Sequence, residues 1–135
     1  MATSSIRVLV VDDFEPFRRV ICSILAKKQD LQVICEACDG LEAVQKAQES
    51  KPDLILLDLG LPALNGFAAA RQIRQLAPAS KILFVSIESS DDLVQEAFSS
   101  GALGYVSKTR VGSDLLAAVE AVLEGRHFVS IGVSE

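Results

Sequence analysis

The stretch KPDLILLDLGLPALNG, from Lys51 to Gly66, is the part of the sequence that most clearly predicts the fold. Leu54 to Leu57 form an uninterrupted apolar run, which is typical of a strand covered on both faces of a parallel sheet. The run ends on a single carboxylate, Asp58, and LPALNG then breaks the chain before a helix. A buried strand that finishes on a charge requires that other charges meet Asp58 in the folded protein.

The same change from strand pattern to helix pattern repeats along the chain on both sides of this stretch. Apolar, β-branched segments predict five strands, at residues 6–11, 31–37, 53–57, 81–87 and 103–108. Helical spacing of apolar residues predicts five helices, at residues 14–28, 39–50, 67–76, 89–101 and 113–125. Five alternating pairs indicate an α/β fold in three α/β/α layers, with a parallel sheet between the helices.

The composition fits one intracellular domain. A chain of 135 residues can bury a proper core, and we expect a domain over residues 1–127 followed by a tail or truncated linker at 128–135. The net charge of −5 and the short basic groups FRRV and AKKQ, interpreted as solvated helix faces, argue against nucleic-acid binding by this chain. Without an apolar run of about 18 residues or a signal-like N-terminus, we expect no membrane span and a cytoplasmic location.

Two of the three cysteines, Cys35 and Cys38, have the CxxC spacing of metal and redox sites. There is no second CxxC pair, and the single histidine, His127, stands near the C-terminus. A structural zinc site normally takes four ligands. We therefore interpret the pair as two small buried hydrophobic residues.

Polar side chains follow four of the predicted strands. Asp12 and Asp13 follow the first strand, Asp58 follows the third, Ser86 ends the fourth and Lys108 follows the fifth. Each has an ordinary explanation, such as a helix cap for Asp13 or a solvated surface position for Lys108. Ligands of doubly wound sheets bind beyond the carboxyl ends of the strands, so their coincidence there favours a common site.

The charges of this site indicate its chemistry. Two carboxylates about 5 Å apart repel by roughly 3 kcal/mol at an effective dielectric near 20, so three of them require a cation or a proton. Oxygen ligands alone favour a hard ion, and Mg²⁺ fits best. With Lys108 as a second positive charge, the site suits phosphoryl transfer in which Asp58 acts as the nucleophile.

The motifs VVDD, LLDLGLPALNG, FVSI and GYVSK, in this order and on these strands, resemble the receiver domain of two-component response regulators. The resemblance covers almost the whole chain. SSGALGYVSK and EAVLEGRHFVS further resemble the subfamily whose receiver precedes a LuxR-type helix-turn-helix. The resemblance implies a flavodoxin-like fold, with a five-stranded sheet in the order 2-1-3-4-5.

The resemblance also implies a signalling switch that depends on Mg²⁺. Asp58 would accept a phosphoryl group from a phosphohistidine of a sensor histidine kinase. Asp13, Asp58 and the backbone carbonyl of Gly60 would bind Mg²⁺, and Asp12 would act mainly through metal-bound water. The protein would catalyse only its own phosphorylation and dephosphorylation, and a homodimer could form on phosphorylation.

Further roles concern the response to the phosphoryl group. Lys108 would pair with the phosphoryl oxygens, Ser86 would hydrogen-bond the group, and Tyr105 would turn inward as the hydroxyl of Ser86 shifts. Nearly two new negative charges would bias a bistable loop and helix face.

Several positions depart from the commonest pattern of the family. Ile87 replaces a small residue, and we hypothesise that its bulk screens the aspartyl phosphate from water. Gly60 and Glu88 occupy positions that tune hydrolysis. Thr109 replaces a proline after Lys108, at a bond that is often cis in the family, and a trans bond would shift Lys108.

Two other functions remain open from the sequence. A phosphate-ester hydrolase could use Asp58 as a covalent nucleophile, although it would need a second acid–base carboxylate where Gly60 stands. A protein-binding module independent of phosphorylation would need none of the aspartates, hydroxyl and lysine that this chain retains. One phosphorylation experiment separates all three functions.

Overall fold

The computed structural model describes residues 5–88 and 90–131 of the chain. Residues 1–4, 89 and 132–135, which the predicted domain, fourth helix and tail include, lie outside the described residues. The strands are β1 (Ile6–Val11), β2 (Leu31–Ala37), β3 (Leu54–Leu57), β4 (Lys81–Ser86), β5 (Gly104–Ser107) and β6 (Phe128–Ser130). The helices are α1 (Glu15–Leu25), α2 (Gly40–Ser50), α3 (Gly66–Leu76), α4 (Asp91–Ser99) and α5 (Val111–Leu123), with a 3₁₀ turn at Lys108–Arg110.

The strands form one parallel sheet in the order β2-β1-β3-β4-β5-β6. This confirms the predicted fold class and the order of the first five strands, but the predicted strand count of five is wrong. The sixth strand comes from residues 128–130, which were assigned to the tail. Its Phe128 N–H donates to the Leu103 carbonyl at 3.1 Å, and the Phe128 ring packs against the core.

Helices cover both faces of the sheet, as the three-layer prediction requires. Alternate residues of β3 face opposite sides: Ile55 and Leu57 join the core under α2, α3 and α4, whereas Leu54 and Leu56 join the core under α1 and α5. The apolar run in the opening stretch therefore reflects burial on both faces.

Side-chain caps fix where three of the helices begin. Asp39, Asn65 and Ser90 each accept a hydrogen bond from the backbone N–H three residues ahead, at the starts of α2, α3 and α4. After α4 the chain turns at Gly101, whose φ of +107° suits glycine, as the sequence predicts for that helix end. Within the described residues, no helix is both long and apolar enough to cross a bilayer.

Candidate acidic site at the carboxyl edge of the sheet

The sheet order brings the ends of β1 and β3 together. Val11 pairs with Leu57, and the Asp58 N–H donates to the Val11 carbonyl at 3.2 Å. On the other side of β1, the Asp12 N–H donates to the Ala37 carbonyl at 3.1 Å. Asp12 and Asp58 therefore continue two adjacent strands, as the sequence analysis required if they were to share a site.

Three carboxylates converge at this point. One oxygen from each of Asp12, Asp13 and Asp58 lies within 4.8 Å of the others. Asp12 and Asp58 are only 3% and 7% exposed, whereas Asp13 is exposed. Asp12 Oδ1 accepts the Phe14 N–H at 2.9 Å, which holds the loop before α1. These three carboxylates offer only oxygen ligands, two of them buried and one exposed to solvent. Such a ligand set fits a hard divalent cation such as Mg²⁺.

Lys108 places a positive charge among these carboxylates. Its Nζ lies 2.7 Å from Asp12 Oδ2 and 3.4 Å from Asp58 Oδ2, and its side chain is 13% exposed. Peptide bonds between the described residues are all trans, including Lys108–Thr109. Lys108 still reaches both aspartates, so the trans bond does not remove it from the site.

The turn that carries Lys108 is held by hydroxyl groups. Ser107, at the end of β5, accepts the Thr109 N–H on its Oγ at 3.3 Å, and the two hydroxyls lie 2.9 Å apart. Ser107 is buried and caps the 3₁₀ turn at Lys108–Arg110. The local sequence SKT therefore supplies its own support for the lysine.

Burial sets the proton affinity of the central carboxylate. Removal from water raises the pKa of Asp58, the positive charge of Lys108 lowers it, and the negative charge of Asp12 raises it again, with a net rise. The ionised form of Asp58 therefore depends on nearby positive charge, which is the property expected of a carboxylate that binds a cation.

A second set of contacts connects Ser86 to Tyr105. Ser86 is buried and its Oγ accepts the Glu88 N–H at 3.1 Å. The Glu88 carbonyl in turn accepts the Tyr105 hydroxyl at 2.8 Å. Tyr105 is fully buried, and this burial raises the pKa of its phenol. The tyrosine thus points inward and joins the loop after β4 to β5.

Most of the predicted site residues line one cleft of about 560 Å³, although Asp12 and Tyr105 are not among its lining residues. Ile87 stands at its mouth with 71% of the residue exposed. A Cβ added at Gly60 would meet nothing within 4 Å, so this position leaves the cleft open. The cleft is lined by Asp13, Phe14, Phe17, Asp58, Gly60, Ser86, Ile87, Glu88, Lys108 and Thr109.

Arg18 supports the loop that carries Asp12. The interpretation of FRRV as a solvated helix face is therefore wrong for Arg18. Its Nη1 donates to the Asp12 carbonyl at 2.8 Å, and its Nε pairs with Glu36 at 2.7 Å. The Arg18 side chain is 17% exposed. The only hint in the sequence was that Arg18 lies about one helical turn beyond Asp12 and Asp13. A solvent-exposed arginine would show the same spacing, so the sequence alone did not indicate this role.

Gly66 is a second supporting residue that the sequence analysis did not assign to the site. A Cβ at Gly66 would lie 2.4 Å from the Asp58 carbonyl oxygen and 2.8 Å from Leu59 Cα. Only glycine therefore lets the first residue of α3 approach the end of β3 so closely. This need for glycine could be recognised only from the fold, because the sequence shows no more than a glycine after the residue that caps α3.

The cysteine pair is less buried than predicted. Cys35 is half-buried in β2, whereas Cys38 is exposed, so the interpretation as two buried residues is wrong for Cys38. The Glu42 carboxylate accepts the Cys38 N–H at 2.8 Å and lies 3.3 Å from its Sγ. Cys38 lies past the end of the strand, in the turn before α2, where its side chain faces solvent.

Together these features define a doubly wound α/β domain with an acidic, lysine-containing pocket at the carboxyl edge of its sheet. The sequence model described as "Response regulator receiver domain" matches residues 8–120. The chain belongs to this family. The resemblance that the motifs indicated is therefore confirmed.

Similar proteins include two response regulators. The chain is 33% identical to Response regulator GacA of Pseudomonas viridiflava over 130 residues, covering 96% of this chain and 61% of that protein. It is 38% identical to Response regulator protein VraR of Staphylococcus epidermidis over 121 residues, covering 90% of this chain and 58% of that protein. The chain thus spans less than two thirds of either relative.

A solved structure of a LuxR-family two-component response regulator from Aurantimonas sp. SI85-9A1 has a similar fold. The TM-score is 0.89 at 35% identity, with 94% of this chain and 91% of that chain covered. This similarity agrees with the resemblance of the sequences around β5 and α5 to the LuxR-type subfamily.

Proposed function

We propose that this receiver domain is a phosphorylation switch in which Asp58 accepts a phosphoryl group from a phosphohistidine of a sensor histidine kinase. A carboxylate oxygen of Asp58 forms the new P–O bond while the P–N bond to the imidazole breaks. The imidazole leaves with the electron pair and takes up a proton. The observation that carries the proposal is the placement of Asp58 at a rigid strand end, between two other aspartates and Lys108.

The same carboxylates supply a magnesium site. Asp13, Asp58 and the Gly60 carbonyl would hold the ion, and Asp12 would act through a bound water. The clustering of three carboxylate oxygens within 4.8 Å and the absence of nitrogen or sulfur from this cluster support the assignment. When bound, Mg²⁺ supplies positive charge beside the phosphoryl oxygens.

Lys108 and Ser86 act on the transferred group. The ammonium of Lys108 lies between Asp12 and Asp58, where it can neutralise a phosphoryl oxygen. Ser86 lines the same cleft and can donate its hydroxyl to the group. Because Glu88 contacts both Ser86 and Tyr105, movement of Ser86 would change the support of Tyr105 and so alter the packing between β5 and the loop after β4.

We further propose that the receiver regulates transcription through a LuxR-type DNA-binding domain, with homodimer formation on phosphorylation. The LuxR-family structure with similar fold supports this output. The net charge of −5 disfavours DNA binding by the receiver itself, so the proposal places DNA binding in a separate domain. We also propose a cytoplasmic location for the protein. Since β6 belongs to the sheet, we place the end of the receiver after residue 130 instead of 127.

Intact mass spectrometry tests the switch. The chain is incubated with Mg²⁺ and acetyl phosphate, with Asp58→Ala and, as a matched exposed control, Asp92→Ala. We expect one phosphoryl adduct in the parent and in Asp92→Ala, and none in Asp58→Ala or in chelator. Phosphate release over many turnovers would support the hydrolase, and no adduct at all would support an interaction module; either outcome would overturn the proposal.

A further inference from the structure

The Lys108 ammonium has a third neighbour besides the two aspartates. Its Nζ lies 4.5 Å from the centroid of the Phe17 ring. Phe17 lines the same cleft as Asp58 and Lys108. The cation thus has two carboxylates and one aromatic ring as close neighbours.

The ring is fixed by its own element, independently of the turn that carries Lys108. Phe17 lies in the first turn of α1, directly after Pro16, and its N–H donates to the Phe14 carbonyl at 3.1 Å. The side chain is partly buried and packs against the core under α1 and α5. Phe17 is therefore held by a different element and different contacts from those that hold Lys108.

An aromatic ring suits this position for an electrostatic reason. The face of a phenyl ring attracts an ammonium group within about 6 Å, and the attraction grows when the pair is shielded from water. A fourth carboxylate would also attract Lys108, but it would repel the three already present. The ring attracts the cation over its face without adding negative charge. Lys108 could thus turn from Asp12 toward a group on Asp58 while staying on the ring.

We infer that Phe17 is a positioning residue for Lys108 in phosphoryl transfer to Asp58. The inference rests on the proposed function, since it assigns Phe17 a role in that reaction. An aliphatic residue of similar size would fill the same space but would not attract the ammonium. An aliphatic substitution at position 17 therefore distinguishes the electrostatic effect of the ring from its effect on packing.

The first test measures the rate of phosphorylation by acetyl phosphate. Phe17→Leu is expected to lower the rate constant by between about twofold and thirtyfold, the range that a cation–π contact supports. Phe17→Tyr, which keeps the ring, should restore the parent rate within about twofold. Phe98→Leu, which removes a half-buried ring that does not line the cleft, controls for general loss of packing. A parent-like rate in Phe17→Leu would overturn the inference, as would an equal loss in Phe17→Tyr.

The second test does not depend on phosphorylation. Urea midpoints are measured for Phe17→Leu, Lys108→Gln and the double variant. We expect Phe17→Leu to lower the midpoint more in the parent than in the Lys108→Gln background, because the ring contacts the ammonium directly. Equal losses in both backgrounds would show packing alone and overturn the inference. If the parent forms no adduct while this coupling is present, the proposed function fails and the Phe17–Lys108 contact stands.

Discussion

Replacing Asp58 with asparagine is expected to stabilise the fold in the absence of Mg²⁺. The substitution keeps the size of the side chain but removes a charge from a residue that is only 7% exposed. Asp12 and Asp13 each have an oxygen within 4.8 Å of an Asp58 oxygen, so at an effective dielectric of 20 each repels the Asp58 carboxylate by about 3.5 kcal/mol or more. Lys108 at 3.4 Å attracts it by about 5 kcal/mol.

These charge interactions nearly cancel once the exposed Asp13 is screened by solvent, so the cost of burying the carboxylate decides the sign. An ionised carboxylate costs more to bury than the neutral amide that replaces it, and we take the difference as roughly 2 kcal/mol. We therefore expect Asp58→Asn to raise the free energy of unfolding by about 2 kcal/mol at neutral pH. For a domain of this size, such a gain corresponds to a rise of roughly 5–12 °C in Tm.

The gain should depend on pH in a defined direction. Burial raises the pKa of Asp58 in the folded state above its unfolded value. The stability that Asp58 contributes when protonated is thus present below the unfolded pKa and is lost as pH rises through the folded pKa. Asparagine does not titrate, so the variant and the parent should be similar in acid, and the variant should become more stable than the parent toward neutral pH.

Urea denaturation from about pH 4 to about pH 8 measures this difference, with Asp92→Asn on the surface of α4 as the control. Saturating Mg²⁺ should reduce the difference, because ligand at 100 times its Kd stabilises the parent by about 2.7 kcal/mol. A variant less stable than the parent at neutral pH without Mg²⁺ would refute the reasoning. A difference that does not change with pH would refute the assigned cause.

Four further substitutions probe the site. Lys108→Met leaves the carboxylates uncompensated and should lower the free energy of unfolding by about 3–5 kcal/mol, partly restored by Mg²⁺; an unchanged urea midpoint would contradict this. Gly66→Ala should lower the free energy of unfolding by about 1–3 kcal/mol, because its Cβ would lie 2.4 Å from the Asp58 carbonyl oxygen. It should also weaken Mg²⁺ binding in a calorimetric titration. Gly60→Ala, whose Cβ would meet nothing within 4 Å, should leave the free energy of unfolding unchanged. Ile87→Ala should shorten the lifetime of the phosphorylated form, and an unchanged decay rate rejects the screening role.

The parts of the fold that local patterns encode were predictable from the sequence. Strands β1 and β2 begin and end at the predicted residues because their apolar runs are bounded by polar turns. The gathering of Asp12, Asp13 and Asp58 followed from the general rule that sites of doubly wound sheets lie at the carboxyl strand ends. These predictions needed only the period of the apolar residues and the position of the charges that interrupt it.

The parts that depend on contacts distant in sequence were not predictable in this way. β6 has three residues, too few to show a period, and it becomes a strand only by pairing with β5. Arg18 resembles a surface residue until Glu36 and the Asp12 carbonyl are placed beside it. The contact between Phe17 and Lys108 joins residues far apart in the chain, and no local pattern indicates it.

The most direct test of the account is chemical trapping of the phosphorylated residue. After incubation with acetyl phosphate and Mg²⁺, borohydride reduces an aspartyl phosphate to homoserine, and peptide mass spectrometry then locates the altered residue. We predict homoserine at position 58 only when both the donor and Mg²⁺ are present. Homoserine at another aspartate, or its formation at position 58 with the metal chelated, would contradict the proposal that these carboxylates form one metal-dependent phosphoryl-acceptor site.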